Sequence, residues 1–175
     1  MSKHDFAAVG PYAKGDDVYV VVETPSGSRT KYAWNPDART FQAKTVLPLG
    51  LTFPYDFGFI PGTRADDGDP LDALVLADAP LAVGTLVECR VLGAFCVKQS
   101  DPGKDQLVRN DRLVVVPKFS IRGAEWRSLS DIGDALTDEI CAFFRNYVER
   151  QGRKFEELAT VQHAAAMELV KGAER

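Results

Sequence analysis

Short apolar runs separated by Gly- and Pro-containing breaks fill the chain up to Trp126. Val18 to Thr24 alternates as a strand, with Val20 and Val22 on one face and Tyr19 and Val21 on the other. Glu23 sets a charge at its mouth. Pro25-Ser26-Gly27-Ser28 is a turn, and Arg29 to Trp34 is the returning strand, with Lys31 and Ala33 on one face. Asn35-Pro36-Asp37-Ala38 makes the next turn, and Thr40 to Val46 a third strand. This order predicts an antiparallel meander and argues against a dinucleotide-binding βαβ start. Thr52 to Pro61 is aromatic and holds Pro54 and Pro61, so it reads as an extended, partly buried wall whose phenylalanines fill core. Leu71 to Leu76 is a buried strand interrupted by Asp72. Leu86 to Lys98 is a strand pair or one long bent strand, with Gly93 a bulge. Ser100 to Gln106 is a polar loop. Leu113 to Pro117 is a short buried strand, with Asn110 and Arg112 pointing to one side and Asp111 to the other.

The period changes after Trp126. Leu136, Ile140, Phe143, Phe144, Tyr147 and Val148 recur at helical spacing, which predicts a helix from about Asp134 to Gln151 with Gly152 as its stop. An Ala-rich second helix follows from about Val161 to Lys171. No repeat or linker divides the chain. Many short strands and then helices predict one domain over residues 1–175, α+β but mainly β. The expected architecture is a closed or partly closed β-barrel with the C-terminal helices packed outside it.

Composition narrows the function. A hydrophobic share of 45% against a charged share of 26% suits a soluble globular domain with a real core. The net charge of -4 speaks against nucleic acid as a partner. No apolar run approaches a membrane span, and Met1-Ser2-Lys3-His4-Asp5 lacks an apolar signal core, so the expected location is cytoplasmic and off the membrane. Cys89, Cys96 and Cys141 are odd in number and read as buried thiols, not disulfides or a zinc site. His4 near the end and His163 in the second helix make a histidine-centred mechanism a poor fit.

Chemistry concentrates in Asp66-Asp67-Gly68-Asp69-Pro70-Leu71-Asp72, four carboxylates within seven residues. Gly68 and Pro70 put Asp67 and Asp69 on a turn, and Asp72 enters an apolar strand, where a carboxylate is costly unless paired or metal-bound. Such an all-oxygen set suits Mg²⁺ or Ca²⁺, not zinc, although a solvated acidic turn has the same spacing. Pro70 and the following strand exclude an EF-hand loop.

From about Val18 to Tyr147 the chain resembles the soluble family I inorganic pyrophosphatases. The acidic loop from Asp67 to Asp72 matches that family's signature. Pro54, Gly58 and Ile60 match the element before it, and Val22-Glu23-Thr24-Pro25, Lys31-Tyr32, Phe143-Phe144 and Tyr147 match others. The resemblance implies an OB-like barrel with helices, cleavage of inorganic diphosphate into two phosphates, several Mg²⁺ ions, and a homo-oligomer, a hexamer in bacteria. It implies that Asp67 and Asp72 bind metal, that Glu23 helps hold a substrate-side metal, and that Asp69 is the general base. Lys31 and Tyr147 would bind phosphate.

Departures from the pattern cluster on the remaining shell. Ala33 stands where the family has Glu, and Lys44 where it has a phosphate-binding Arg, which keeps the charge and loses the bidentate fork. Phe53 and Phe57 replace tyrosines. Of two later metal carboxylates, one is Asn110, still an oxygen donor through its amide, and the other falls near Gln99, with Asp101 or Asp105 as substitutes. Arg112 takes the place of a Lys, and Val148 that of another Lys after the final Tyr. Arg64, Arg109 and Arg112 could compensate. The expectation is therefore Mg²⁺-dependent hydrolysis of inorganic diphosphate, weakened or retuned. The alternatives are another phosphoanhydride, with room opened by the loop from Lys98 to Asn110 and by Val148, or a non-catalytic relative that binds metal or phosphate.

Overall fold

The computed structural model describes residues 6–175, so His4 lies outside the described residues. Its frame is a sheet that closes on itself. Strand β1 (Val18–Thr24) pairs antiparallel with β4 (Asp56–Phe59), and β4 with β5 (Asp72–Val75). Next, β5 runs parallel to β8 (Arg112–Pro117), and β8 pairs with β6 (Leu86–Ser100). Finally β6 returns to β1, with Val18 opposite Cys89. The mainly β, ring-like fold with two helices agrees with the expected OB-like barrel. Closure is what lets runs such as Val-Leu and Val-Val-Val lose water on both sides. The three residues Val20, Val21 and Val22 are all fully buried.

Strand β6 is the seam of the ring. At its middle the register with β8 shifts between Val91 and Gly93, the expected bulge. A β-carbon on Gly93 would lie 2.3 Å from the Val161 carbonyl oxygen, so only glycine admits the strand crossing there. The two faces of the ring carry separate clusters, as the period of two requires. Ala73, Val75, Leu113 and Val115 join Ala166, Val170 and Ala173 of helix α2 (His163–Ala173). Leu74, Leu76, Val114 and Val116 join Ile140, Phe144 and Val148 of helix α1 (Asp134–Glu149).

Three expectations are corrected. Strands β2 (Thr30–Asn35) and β3 (Thr40–Val46) form their own two-stranded sheet, so the first three strands are not a meander. The link from β1 to β2 is made by side chains: the Tyr32 amide donates to Thr24 Oγ1 at 3.0 Å, and the Trp34 amide to Glu23 Oε1 at 2.7 Å. Second, residues just after the polar loop form a short strand β7 (Leu107–Arg109) on β6. Third, the second helix begins at His163, because Phe155–Gln162 is strand β9, paired antiparallel with β6 from Gln99 to Gly93. Most of β9 is exposed, so no hydrophobic alternation marked it; ladder hydrogen bonds to β6 hold it. Cys89 and Cys96 are buried free thiols, whereas Cys141 is only partly buried and bonds to Glu157 Oε1 at 3.1 Å. His163 caps no site; its Nδ1 lies 2.7 Å from the Val91 carbonyl oxygen.

Candidate active site

The acidic stretch folds as a tight turn because local bonds close it. The Gly68 amide donates to the Ala65 carbonyl at 3.0 Å, the Ala65 amide to the Asp69 carbonyl at 2.7 Å, and the Asp69 amide to Asp67 Oδ1 at 3.1 Å. Gly68 sits at φ +94°, a conformation other residues adopt only with strain. Asp67 and Asp69 stand exposed on this turn, and Asp72, half-buried, opens β5.

The parallel register of β5 with β8 sets Asp72 opposite Arg112. Arg112 is 3% exposed, stacks on Phe144 with 4.6 Å from guanidinium carbon to ring centroid, and donates to Gln99 Oε1 at 2.7 Å. Two residues upstream, Asn110 Nδ2 donates to Asp67 Oδ2 at 2.6 Å and ties the far wall to the acidic turn. Asp111 faces the other way, accepting from the Val97 amide and from Arg109 Nε. Arg109 is thereby engaged in an ion pair and is not among the cleft's lining residues.

The space between these walls is a cleft of about 220 Å³. It brings together Asp67, Asp69, Asp72, Lys31, Asn110, Arg112 and Tyr147 of the expected site, with Phe53, Phe57 and Gln99 at departure positions. Lys31 Nζ lies 5.4 Å from the Phe57 ring centroid and 5.9 Å from that of Tyr147, so the aromatic floor holds the ammonium by its π faces. Glu23 lines the adjoining larger cavity with Lys31, Asp69 and Asp72.

Two expected residues lie elsewhere. Lys44 is exposed on β3, bonded to Gln42, and outside the lining of either cavity. Val148 is fully buried in the α1 cluster, so it opens no room and faces no cleft. The stretch from Lys98 to Asn110 is partly strand, with β6 running to Ser100 and β7 after it, and its Gln99, Asp101, Val108 and Asn110 line the cleft. Asp101 lines the cleft while bonded to Lys104, whereas Asp105 pairs with Lys154 outside it. Arg64 is exposed near the turn and outside the cleft. The structure adds one cation that sequence reasoning missed. Arg153 lines the cleft, held by a bond from its Nε to the Ser100 carbonyl at 2.6 Å. Its only sequence signal was an Arg-Lys pair after the helix-stopping Gly152.

The carboxyl groups are crowded. Burial pushes Glu23 up to about 7, opposed by the Trp34 amide and Lys31 and reinforced by Asp72 and Asp69. Burial likewise raises Asp72, against the pull of Arg112 and Lys31. Partial desolvation raises Asp67 above the usual range. Such a set relaxes when a cation enters. Among the described residues, no three His, Cys, Asp or Glu side chains stand close enough together to hold a metal ion. The donor types nonetheless fit a hard dication: they are oxygens, and Asn110 Oδ1 is buried without a hydrogen-bond partner.

A sequence profile described as inorganic pyrophosphatase matches residues 20–175. The chain belongs to the inorganic pyrophosphatase family. It is 33% identical over 167 residues to the inorganic pyrophosphatase of Synechocystis, covering 95% of both chains. With that of Thermus thermophilus it shares 35% over 137 residues, covering 78% of this chain and 75% of the other. The solved Thermus thermophilus pyrophosphatase superposes with a TM-score of 0.86 at 30% identity, covering 96% of this chain and 95% of that one. That of Neisseria gonorrhoeae gives 0.84 at 30% identity, with 97% and 96% covered. Within the pyrophosphatase fold, this chain carries amides and an arginine on the wall that faces the acidic turn.

Proposed function

We propose that the chain hydrolyses inorganic diphosphate to two phosphates at the polar cleft, in a Mg²⁺-dependent reaction. The observation that carries this reading is the meeting of three aspartates with Lys31, Arg112, Arg153 and Tyr147 around one small cleft. A small tetra-anion needs cationic side chains and metal-binding carboxylates together. Asp67 and Asp72 would hold Mg²⁺, Glu23 would help on the substrate side, and Asn110 would add its amide oxygen. Bound Mg²⁺ supplies charge neutralisation at phosphoryl oxygens and lowers the pKa of water. Asp69, whose carboxylate is exposed at the turn, takes the proton of the attacking water. Lys31, Arg112, Arg153 and Tyr147 orient the phosphates.

The amide bond from Asn110 to Asp67 favours a retuned site, with a higher Mg²⁺ requirement than a wall of carboxylates would give. Phosphate release from diphosphate, measured across a Mg²⁺ titration, tests the proposal. Saturating, Mg²⁺-dependent release is expected. Diphosphate binding without release would make the chain a non-catalytic relative. Cytoplasmic placement and homo-oligomerisation, hexameric by the resemblance, belong to the same proposal. The free thiols fit a reducing compartment. Ile121, 87% exposed, and Phe119, 63% exposed, fit a surface that another copy covers, which sedimentation velocity tests. Among the described residues no helix is long and apolar enough to cross a membrane.

A further inference from the structure

Behind the acidic turn lies a second cavity, larger than the polar cleft and made of different material. It encloses about 600 Å³. Phe6, Trp34 and Phe59 give it an aromatic wall, with Phe6 edge-on to Trp34 at 4.9 Å between centroids and to Phe59 at 6.2 Å. Exposed Glu174 and Arg175 also line it, so the aromatic wall is bordered by charge. Lys31, Asp69 and Asp72 line both cavities, which therefore meet at the residues assigned to phosphate, base and metal. Ala33 also lines the larger cavity, and its methyl leaves open what a longer side chain on the same face as Lys31 would fill.

Inorganic diphosphate has no apolar surface and leaves the aromatic wall of this cavity unused. We propose that the larger cavity receives the nucleoside of a nucleoside 5′-diphosphate whose phosphates lie in the polar cleft, and that the chain hydrolyses this phosphoanhydride too. The inference rests on the reading of the cleft as a hydrolytic site. Cavity size agrees, since pockets for such ligands span roughly 300–1,000 Å³. So does the lining: a planar base packs on aromatic rings while its polar edges meet the charged border. An aliphatic tail would leave Glu174 and Arg175 desolvated and unpaired. In the reaction, water oxygen bonds to the terminal phosphorus and its proton passes to Asp69. The bond from that phosphorus to the bridging oxygen breaks, and the electron pair leaves with the nucleoside 5′-monophosphate. The products are that monophosphate and phosphate.

Trp34 and Trp126 are the two tryptophans, so a Trp126→Phe variant reports from the cavity wall alone. In Mg²⁺ buffer it is titrated with adenosine diphosphate, geranyl diphosphate and inorganic diphosphate, with phosphate release followed in parallel. Adenosine diphosphate should change Trp34 emission saturably, well beyond the effect of inorganic diphosphate, and should release phosphate. Ala33→Phe, or Ala33→Leu if the first variant is misfolded by circular dichroism, fills the cavity. Either should weaken the emission change at least tenfold and lower kcat/KM for adenosine diphosphate tenfold relative to inorganic diphosphate. If inorganic diphosphate is hydrolysed while adenosine diphosphate neither shifts emission nor releases phosphate, the inference is overturned and the cleft reading stands. If neither compound is hydrolysed, both fall. Stronger binding of geranyl diphosphate overturns the choice of a nucleoside.

Discussion

The two walls of the polar cleft are built by opposite means. On one side, Asp67 and Asp69 sit on an exposed turn closed by its own backbone and outside the core clusters. On the other, Arg112 is buried in register with Asp72, and Asn110 and Gln99 bond across the wall. Below them, Phe53 and Tyr147 pack at 5.7 Å, and Phe57 and Phe144 at 6.0 Å, as one aromatic floor. Chemistry on the turn can change without touching the fold. Chemistry on the far wall is coupled to packing. This fits the distribution of departures from the family pattern: the turn keeps its signature, and the wall and floor differ at several positions together.

The largest effect should come from the turn. Asp69→Asn keeps the shape and removes the proposed base, so hydrolysis should fall by at least about 100-fold. Because Asp69 is exposed and its side chain packs on no core cluster, the melting temperature should stay within about 2 °C of the parent's. A large loss of stability with activity retained would show that the turn is structural.

The opposite outcome is expected beneath the far wall. The resemblance places a phosphate-binding lysine at Val148, but Val148 is fully buried beside Leu129 and Ile140. Val148→Lys should cost about 3 kcal/mol or more, since the new charge has no partner there. Thermal denaturation should show a drop of roughly 6–12 °C with no gain in diphosphate affinity. An unchanged melting temperature with tighter diphosphate binding would mean that this turn of α1 faces the cleft.

What the sequence disclosed follows the same division. The turn was legible because Gly68 and Pro70 dictate its backbone and the aspartates have no apolar role. The strands from β4 to β8 were legible wherever β-branched residues run unbroken. Strand β9 was not, because Glu156, Glu157 and Thr160 show no buried face and only pairing with β6 orders them. Arg153 was missed for a related reason, since it enters the cleft from the connection between α1 and β9. Lys44 was assigned from the family resemblance alone, and its exposed side chain on β3 turns to Gln42 instead of the cleft.

Glu23 offers a smaller and sharper contrast. It lines the adjoining larger cavity, buried, with its carboxyl raised from 4.5 to about 7. A raised carboxyl means that the folded state binds the proton more tightly than the unfolded state. Below pH 4.5 both states hold it, and no stability is lost. Between about pH 4.5 and 7 the unfolded chain releases it first, so stability falls as pH rises, by up to about 3 kcal/mol. Denaturant unfolding of the metal-free chain across this window should show that slope, and Glu23→Gln should flatten it while keeping the bond from the Trp34 amide. A parent already flat across the window would show that Glu23 is solvated.

The smallest expected effect bears most directly on how the walls meet. Asn110 donates to Asp67 at 2.6 Å, so in the metal-free chain the amide relieves the acidic turn of an unpaired oxygen. Asn110→Asp removes that donor and sets two carboxylates against each other. One added charge of this kind, beside the exposed Asp67, is worth on the order of 1 kcal/mol. Without metal the sign is unfavourable, and the melting temperature should fall by about 2–4 °C. With Mg²⁺ the sign reverses, because the pair becomes a better site for a hard dication, and the Mg²⁺ needed for half-maximal activity should drop about fivefold. Opposite shifts in one variant distinguish a metal-facing position from a merely structural one, which would lose stability under both conditions. If the Mg²⁺ requirement stays fixed while the metal-free protein is destabilised, Asn110 serves as a clasp between the walls and takes no part in holding metal.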